Sequence, residues 1–226
     1  MIEVAAGSAH AARERRRTWM LGGGLLAASA LLSLAMRGSF FLPTVPFVSP
    51  PDVLFAAGAV VFAVGLGRSG SVTGRRPLGT SAVVGLAVWL LLAPPLLSVL
   101  QPEISMGADA AERTDLLVLS AMLSITGEVI ALALAIVGVM QIGRGGVVPQ
   151  PWQWAPLWAL LAVVAVRVLR SGFLFGQQGL GQEALVVLDG TGALLEAVAV
   201  GFLGVLAMVL AARPSSGSTM IYSSGE

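Results

Sequence analysis

The side chains of this chain that could carry chemistry in a membrane are five charged residues set within long apolar stretches. They are three carboxylic acids and two arginines: Glu128, Arg167, Arg170, Asp189 and Glu196. A charge at bilayer depth costs about 2.5 to 3.5 kcal/mol on insertion scales, so each one needs a partner or a water-filled cavity. The chemistry open to such a set is ion pairing, or the binding of a proton, a cation or a small polar solute.

The spacing of four of these residues predicts ion pairs between the last two apolar segments. Arg167 and Arg170 are three residues apart, so they share one face of a helix. Asp189 and Glu196 are seven apart and share a face of the next helix. In an antiparallel hairpin that turns at 176–181, this register permits Arg170 to pair with Asp189 and Arg167 with Glu196. Two interpretations stay open: both pairs are structural, or Arg167 and Glu196 line, with Glu128, a small polar cavity open to the outside.

Glu128 lies near the middle of the fourth apolar segment, and the register assigns it no arginine. Its helical face also carries Ser120, Ser124, Ala131 and Ala135. Small residues let a neighbouring helix approach closely, so a carboxyl group there can be buried against protein. We expect Glu128 either to belong to the polar cavity or to be protonated and hydrogen-bonded to a neighbouring helix.

Pro94 and Pro95 lie inside the third apolar segment. A proline removes a backbone donor and clashes with the preceding turn, so this helix should kink or break there. Counted back from Leu100 at 1.5 Å per residue, the break lies about 9 Å from the outer face. That depth is close to the one expected for Arg167 and Glu196, which places the break beside the cavity of the second interpretation.

The inventory of reactive side chains excludes several kinds of chemistry. The chain has no Cys and a single His, and its thirteen basic residues are all Arg. Without Lys there is no Schiff base, and without Cys there is no thiolate catalysis, iron–sulfur cluster or disulfide. The one histidine, His10, lies in the basic N-terminal segment. We therefore expect neither a cofactor nor a metal site.

No motif in the sequence supports an enzyme. Residues 189–193, Asp-Gly-Thr-Gly-Ala, resemble the start of the CDP-alcohol phosphotransferase signature, which binds metal through several aspartates. Leu194 stands where that signature has Arg, and no further Asp follows in the segment. The glycine-rich stretches lack the Lys and the Ser or Thr of a phosphate loop. We expect a protein without enzymatic activity.

Composition indicates that lipid is the solvent for most of the chain. Of 226 residues, 56% are hydrophobic and 11% charged, with a mean hydropathy of +0.89, whereas soluble domains carry about 25% charged residues. A transmembrane helix needs roughly 20 apolar residues. Six segments qualify: 19–36, 53–67, 80–100, 116–142, 154–175 and 184–212. Asp52 and Arg68 bracket only fifteen residues in the second one, so five spans are the alternative.

The arginines predict that both termini lie inside, because short cytoplasmic loops are enriched in basic residues. With this orientation nine arginines are cytoplasmic: Arg13, Arg15, Arg16, Arg17, Arg68, Arg75, Arg76, Arg144 and Arg213. Four are outside or in the outer half: Arg37, Arg113, Arg167 and Arg170. The loop assigned outside carries four acids, Glu103, Asp109, Glu112 and Asp115, which agrees with this orientation.

The sequence thus predicts an all-α polytopic membrane helix bundle with six transmembrane helices. A basic cytoplasmic tail, 1–17, precedes the transmembrane domain, 18–212. The polar cytoplasmic tail, 213–226, is rich in Ser and expected to be disordered. We expect a multi-pass protein of the cell (plasma) membrane.

Two functions fit this architecture. A non-enzymatic membrane subunit or scaffold is favoured, because catalytic groups, soluble domains and repeats are missing; its small-residue helix faces would assemble with other membrane proteins or with itself. The alternative is a small transporter or solute-binding component with an outward-facing polar cavity around Glu128, Arg167 and Glu196. The expected partners are the lipid bilayer and, for the alternative, a small solute or proton; nucleic acid is not one.

Overall fold

The computed structural model describes residues 2–38, 49–66, 71, 76–100, 109–145, 152–176 and 182–213. Side chains are described there except at 2–9, 38, 110, 145, 153, 167–176, 182–186 and 188–189. This part of the chain is all-helical, with a 3-10 turn at Trp152–Trp154 and six α-helices: α1 Ile2–Gly38, α2 Pro50–Val64, α3 Pro77–Leu100, α4 Ala110–Gly145, α5 Ala155–Gly176 and α6 Gln182–Ala212. The tail expected at 213–226 lies, apart from Arg213, outside the described residues.

Each of the six apolar segments contains a helix, but only four have stretches long and apolar enough to cross a membrane. These stretches are His10–Arg37, Pro77–Leu100, Ala111–Arg144 and Gly190–Ala212. The described apolar stretches of α2 and α5 are shorter, Pro50–Val64 and Ala155–Val166. The basic segment at 1–17 is helical from Ile2 and continuous with the first span, because it is rich in Ala and Arg, which favour helix.

The helices form a ring in chain order. Each packs antiparallel to its sequence neighbour, and α6 returns to pack on α1, which is the most extensive contact in the ring. The contact between α4 and α5 is the least extensive of those between neighbouring α-helices. Within the described residues, the backbones of helices on opposite sides of the ring do not approach each other, although the side chain of Ile142 in α4 reaches Trp19 in α1.

The α1–α6 contact depends on two glycines. A Cβ atom added to Gly23 would lie 2.6 Å from the carbonyl oxygen of Gly204, and one added to Gly204 would lie 2.6 Å from that of Gly23. Farther along the interface, a Cβ on Gly201 would lie 3.4 Å from that of Ala30. Small residues at the contact are the usual way in which membrane helices pack closely.

The other side of α6 carries large apolar side chains that stay exposed. This outer stripe comprises Leu194, Val198, Phe202, Val205 and Val209. A soluble helix turns its large apolar residues to the core, whereas α6 turns small residues to α1 and large ones outward. That arrangement suits a helix whose outer side is covered by lipid.

The second predicted span is a short helix fastened to α1 at both ends. α2 has 15 residues, or about 22 Å, against a hydrocarbon core of about 30 Å. Thr18, which is 0% exposed, accepts a hydrogen bond from the Leu66 amide at 3.0 Å and donates one to the Glu14 carbonyl at 3.1 Å. Near the start of α2, Ser29 donates to the Pro51 carbonyl at 2.8 Å. The bond from the Leu66 amide satisfies a backbone donor beyond the end of α2 that apolar surroundings would otherwise leave without a partner.

The helix break expected at Pro94 and Pro95 does not interrupt α3, which continues through both prolines to Leu100. A proline has helical φ and removes only its own donor, so the chain can remain helical after it. The hydroxyl of Ser98 donates to the Pro95 carbonyl at 2.8 Å in the following turn. A kink at the two prolines stays a prediction.

Candidate functional site

The position of Glu128 follows from the contact between α3 and α4. Nε1 of Trp89 donates to the Gly127 carbonyl at 3.0 Å. A Cβ on Gly138 would lie 3.0 Å from Cγ2 of Val83. Gly127 and Gly138 are three helical turns apart, so they define one side of α4, and α3 lies against it.

The neighbouring side of α4 faces α5. Leu132 and Ile136 line the groove between these two helices. Glu128 lies about 100° around the helix from Gly127 and about 40° from Leu132, at 3.6 residues per turn. It is therefore located between the side of α4 that contacts α3 and the side that faces α5.

The contacts of Ile142 show that this face of α4 is turned into the ring. Ile142 follows Glu128 by four turns on nearly the same face, and it packs against Trp19 of α1. The side chain of Glu128 is nevertheless exposed. The interior of the ring is thus accessible at this carboxyl group.

This position differs from the close helix contact expected around Glu128. Ser120 and Ala131 lie within about 40° of the side of α4 that meets α3, whereas Glu128 lies about 80 to 100° from it. Gly127 and Gly138 let α3 approach that side closely. Glu128 consequently stays exposed instead of being buried against α3.

Glu196 occupies a comparable position on α6. It is half-buried, and Leu210, fourteen residues later on nearly the same face, packs against Trp19. One turn before Glu196, a Cβ on Gly192 would lie 3.3 Å from Cγ1 of Val166 in α5. The Glu196 side chain therefore lies on the inner side of α6, away from the outer stripe.

The two carboxyl groups thus lie on helix faces that converge at Trp19. Fourteen residues separate each glutamate from the residue that contacts Trp19, a rise of about 21 Å along each helix. Neither Glu128 nor Glu196 is without an interaction partner. The geometry gathers carboxyl groups from two helices on the inner side of the ring, well away from the Trp19 end.

The side chains of Arg167, Arg170 and Asp189 lie outside the described residues, so the two predicted ion pairs stay predictions. The helix backbones nevertheless fix the levels of these positions. Val166 lies opposite Gly192, so position 170 is level with position 189 to within one residue.

The same register places position 167 about five residues, or 7 to 8 Å, from the level of Glu196. Between α4 and α5, Leu132 and Val164 line the same end of the groove. Because α4 and α5 are antiparallel, one turn before Leu132 in α4 is level with one turn after Val164 in α5. Position 167 is therefore at the level of Glu128. The backbone therefore places Arg167 nearer in level to Glu128 than to Glu196.

Trp19 joins the helices at the opposite end of the ring. It is 3% exposed and packs against Phe62, Ile142, Trp152, Leu210 and Ala211. The guanidinium carbon of Arg15 lies 5.1 Å from its ring centre, which is a cation–π contact. Nε1 of Trp19 is buried and has no hydrogen-bond partner in the part of the chain that the structure describes.

Charge is sorted between the two ends of the ring. The Trp19 end, called the basic end below, carries exposed arginines from four helices and the segments that flank them: Arg13, Arg15, Arg16, Arg17, Arg76, Arg144 and Arg213. The start of α4 at the other end carries three exposed acids, Asp109, Glu112 and Asp115, beside the exposed Arg113, and α1 brings the exposed Arg37 to the same end. This separation follows from the antiparallel order of the helices.

Sequence reasoning missed Thr18, Ser29 and Trp89, each of which bonds to the backbone of another segment. The signal was a hydrogen-bonding side chain in an apolar segment, because a buried polar group nearly always has a partner. The sequence does not say which helix provides that partner.

A comparison of the chain with protein-family models, with curated proteins and with solved structures finds no match.

Proposed function

We propose that this chain is a small, non-enzymatic transporter or solute-binding component of a membrane, whose inner carboxyl groups bind a proton or a small cation. The observation that carries the proposal is the exposed side chain of Glu128 on the inner side of the ring. Keeping a carboxyl group at bilayer depth is costly. An accessible one on an inner helix face is therefore better explained by binding than by packing.

Charge balance supports a cationic substrate. Within the apolar segments, three acids, Glu128, Asp189 and Glu196, accompany two arginines, Arg167 and Arg170. If all five are ionised, one negative charge remains whichever groups pair with each other. One proton or one monovalent cation neutralises this remainder.

The sequence favoured a membrane scaffold over a transporter, and the proposal reverses this preference. A scaffold was expected to assemble through small-residue helix faces, but Gly23, Gly58, Gly201 and Gly204 contact other helices of the same chain. These faces are used for folding and are not free for a partner. Assembly with another protein through these four glycines is therefore disfavoured.

We also propose that the basic end faces the cytoplasm and that the location is the cell membrane. Support comes from the excess of arginines at that end. Because the chain has no Cys, single cysteines can report orientation. In intact cells, a membrane-impermeant thiol reagent should modify the Asp109→Cys protein and leave the His10→Cys protein unmodified; the reverse pattern would contradict the orientation.

The transport proposal can be tested with purified protein in liposomes. A potassium gradient with valinomycin drives proton entry, which a trapped pH dye reports; sodium and potassium uptake are measured separately. We expect flux above that of empty liposomes for one of these cations, and we expect Glu128→Gln to reduce it to the empty-liposome rate. Glu112→Gln, the same change in the first turn of α4, should leave the flux unchanged.

Folding is checked for both variants by size-exclusion chromatography in mild detergent. The proposal fails if wild-type protein carries none of the three cations above background. It also fails if folded Glu128→Gln protein transports as well as wild type.

A membrane subunit is the second candidate, and one glycine favours it. An added Cβ atom on Gly24 would meet no atom of the described residues within 4 Å, so this small-residue position is open to a helix of another chain. If this candidate holds, a stoichiometric protein copurifies in mild detergent, and Gly24→Leu removes it without unfolding the chain. Copurification that Gly24→Leu leaves intact would count against it.

A further inference from the structure

A groove runs between α4 and α5, where neighbouring α-helices of the ring have their least extensive contact. Its cavity volume is about 280 Å³. Nine of the described residues line it, and all are apolar: Leu132, Ile136, Val139, Met140, Trp154, Leu157, Leu160, Leu161 and Val164. From Leu132 to Met140 the groove extends about 12 Å along α4.

The walls of the groove select a hydrocarbon occupant. Protein interiors are close-packed, so a groove of this size is expected to be filled. Water is a poor occupant, because it needs polar partners and these nine side chains are apolar. Ile136, Met140 and Leu161 at the mouth are exposed on the outside of the ring, where lipid chains lie. An acyl chain can enter from the bilayer without crossing a polar surface.

The basic end of the groove indicates which lipid. Trp154 is 48% exposed at this end, and its ring lies 3.7 Å from where a Cβ of Gly143 would be. Tryptophan prefers the level of the lipid headgroups. Arg144, the next residue, is exposed and about 6 Å along α4 from Met140, so its guanidinium group is within reach of a headgroup phosphate.

We propose that the α4–α5 groove is a binding site for an anionic phospholipid, with one acyl chain in the groove and the phosphate at Arg144. The acyl chain fills the gap between α4 and α5, where the protein's own helix contact is least extensive. The headgroup sits at the basic end, so its negative charge meets a positive surface. This site does not depend on the transport proposal, because its lining includes none of the inner carboxyl groups.

Native mass spectrometry of the whole chain in mild detergent tests the site. The protein is titrated with phosphatidylglycerol and with phosphatidylcholine of the same acyl chains. Arg144→Gln should reduce the preference for phosphatidylglycerol about fivefold, the effect of one arginine near a headgroup. Arg213→Gln, an exposed arginine at the same end but on α6, is the matched control and should leave the preference unchanged.

A second pair of variants tests the acyl chain. Val164→Phe fills the groove and should weaken binding of both lipids, and Leu161→Phe, at the exposed mouth, should do the same with less disturbance of the fold. Val205→Phe on the outer stripe of α6 adds the same bulk elsewhere and should have no effect.

Three results would overturn the proposal. Equal loss of preference in Arg144→Gln and Arg213→Gln would mean that anionic lipid is attracted diffusely to the basic end. Undiminished binding in both groove variants would place the acyl chain elsewhere. Equal binding of the two lipids by the wild-type protein would remove the role of Arg144.

Discussion

Replacing Gly23 with Ala adds one methyl group at the closest backbone approach between α1 and α6. The new Cβ would lie 2.6 Å from the carbonyl oxygen of Gly204, whereas ordinary van der Waals contact begins at 3.4 Å. The atom that it meets belongs to the backbone, so no side chain can rotate away. The two helices must separate by up to about 0.8 Å, a gap that forfeits roughly a quarter to a half of the dispersion energy of the contacts it opens.

The expected cost is about 1 to 3 kcal/mol, the usual range for overpacking a tight contact. Alanine also favours a helix over glycine by about 0.8 to 1 kcal/mol, which hides part of that cost. Gly24→Ala provides the reference, because its Cβ meets no atom of the described residues within 4 Å. The difference between the two variants therefore isolates the clash.

The measurement is thermal unfolding in mild detergent, followed by circular dichroism and by the folded fraction in size-exclusion chromatography. At about 2 to 4 °C per kcal/mol for a chain of this size, Gly23→Ala should unfold roughly 2 to 12 °C below Gly24→Ala. Gly204→Ala should behave like Gly23→Ala, and the double variant should lose less than the sum, because both methyl groups enter one contact. Equal melting temperatures for Gly23→Ala and Gly24→Ala would refute this account of the α1–α6 contact.

Two further predictions concern hydrogen bonds between segments. Thr18→Val keeps the shape of a fully buried side chain but leaves the amide that follows α2 without an acceptor. It should lower the free energy of unfolding, measured by titration with SDS, by about 1 to 3 kcal/mol. Thr126→Val breaks only a bond within the exposed face of α4 and should change this free energy far less. Trp89→Phe removes the donor to the Gly127 carbonyl and should lower the free energy of unfolding by about 0.5 to 1.5 kcal/mol. Trp158→Phe, at a position that is 70% exposed, should leave it unchanged. An equal loss in both tryptophan variants would argue against a role for the Trp89 hydrogen bond.

The helices themselves could be predicted from the sequence, because a run of about 20 apolar residues has few other stable forms in a bilayer. The short α2 was also foreseen in part, since Asp52 and Arg68 bracket only fifteen residues. Its attachment to α1 was not foreseen. Thr18 and Ser29 appear in sequence as isolated polar residues, and nothing local identifies the end of α2 as their partner.

The sequence could not predict which helix the face of Glu128 would meet. Helical spacing gave its neighbours on α4 correctly, but small residues occur on several sides of that helix. Which side meets α3 depends on how closely two backbones can approach, and Gly127 and Gly138 decided it. The inner location of Glu196 likewise depends on the return of α6 to α1, a contact between the two ends of the chain that no local pattern encodes.

The proposed function requires that Glu128 faces an accessible, polar interior and not lipid. Because the chain has no Cys, a single cysteine at this position can test the claim in native membranes with a small, water-soluble thiol reagent. Ile130→Cys is the matched control, because position 130 is about 3 Å away in depth and on the opposite side of α4. We expect the reagent to modify the Glu128→Cys protein and to leave the Ile130→Cys protein unmodified. Modification of neither protein, or of position 130 alone, would contradict an inner location of Glu128.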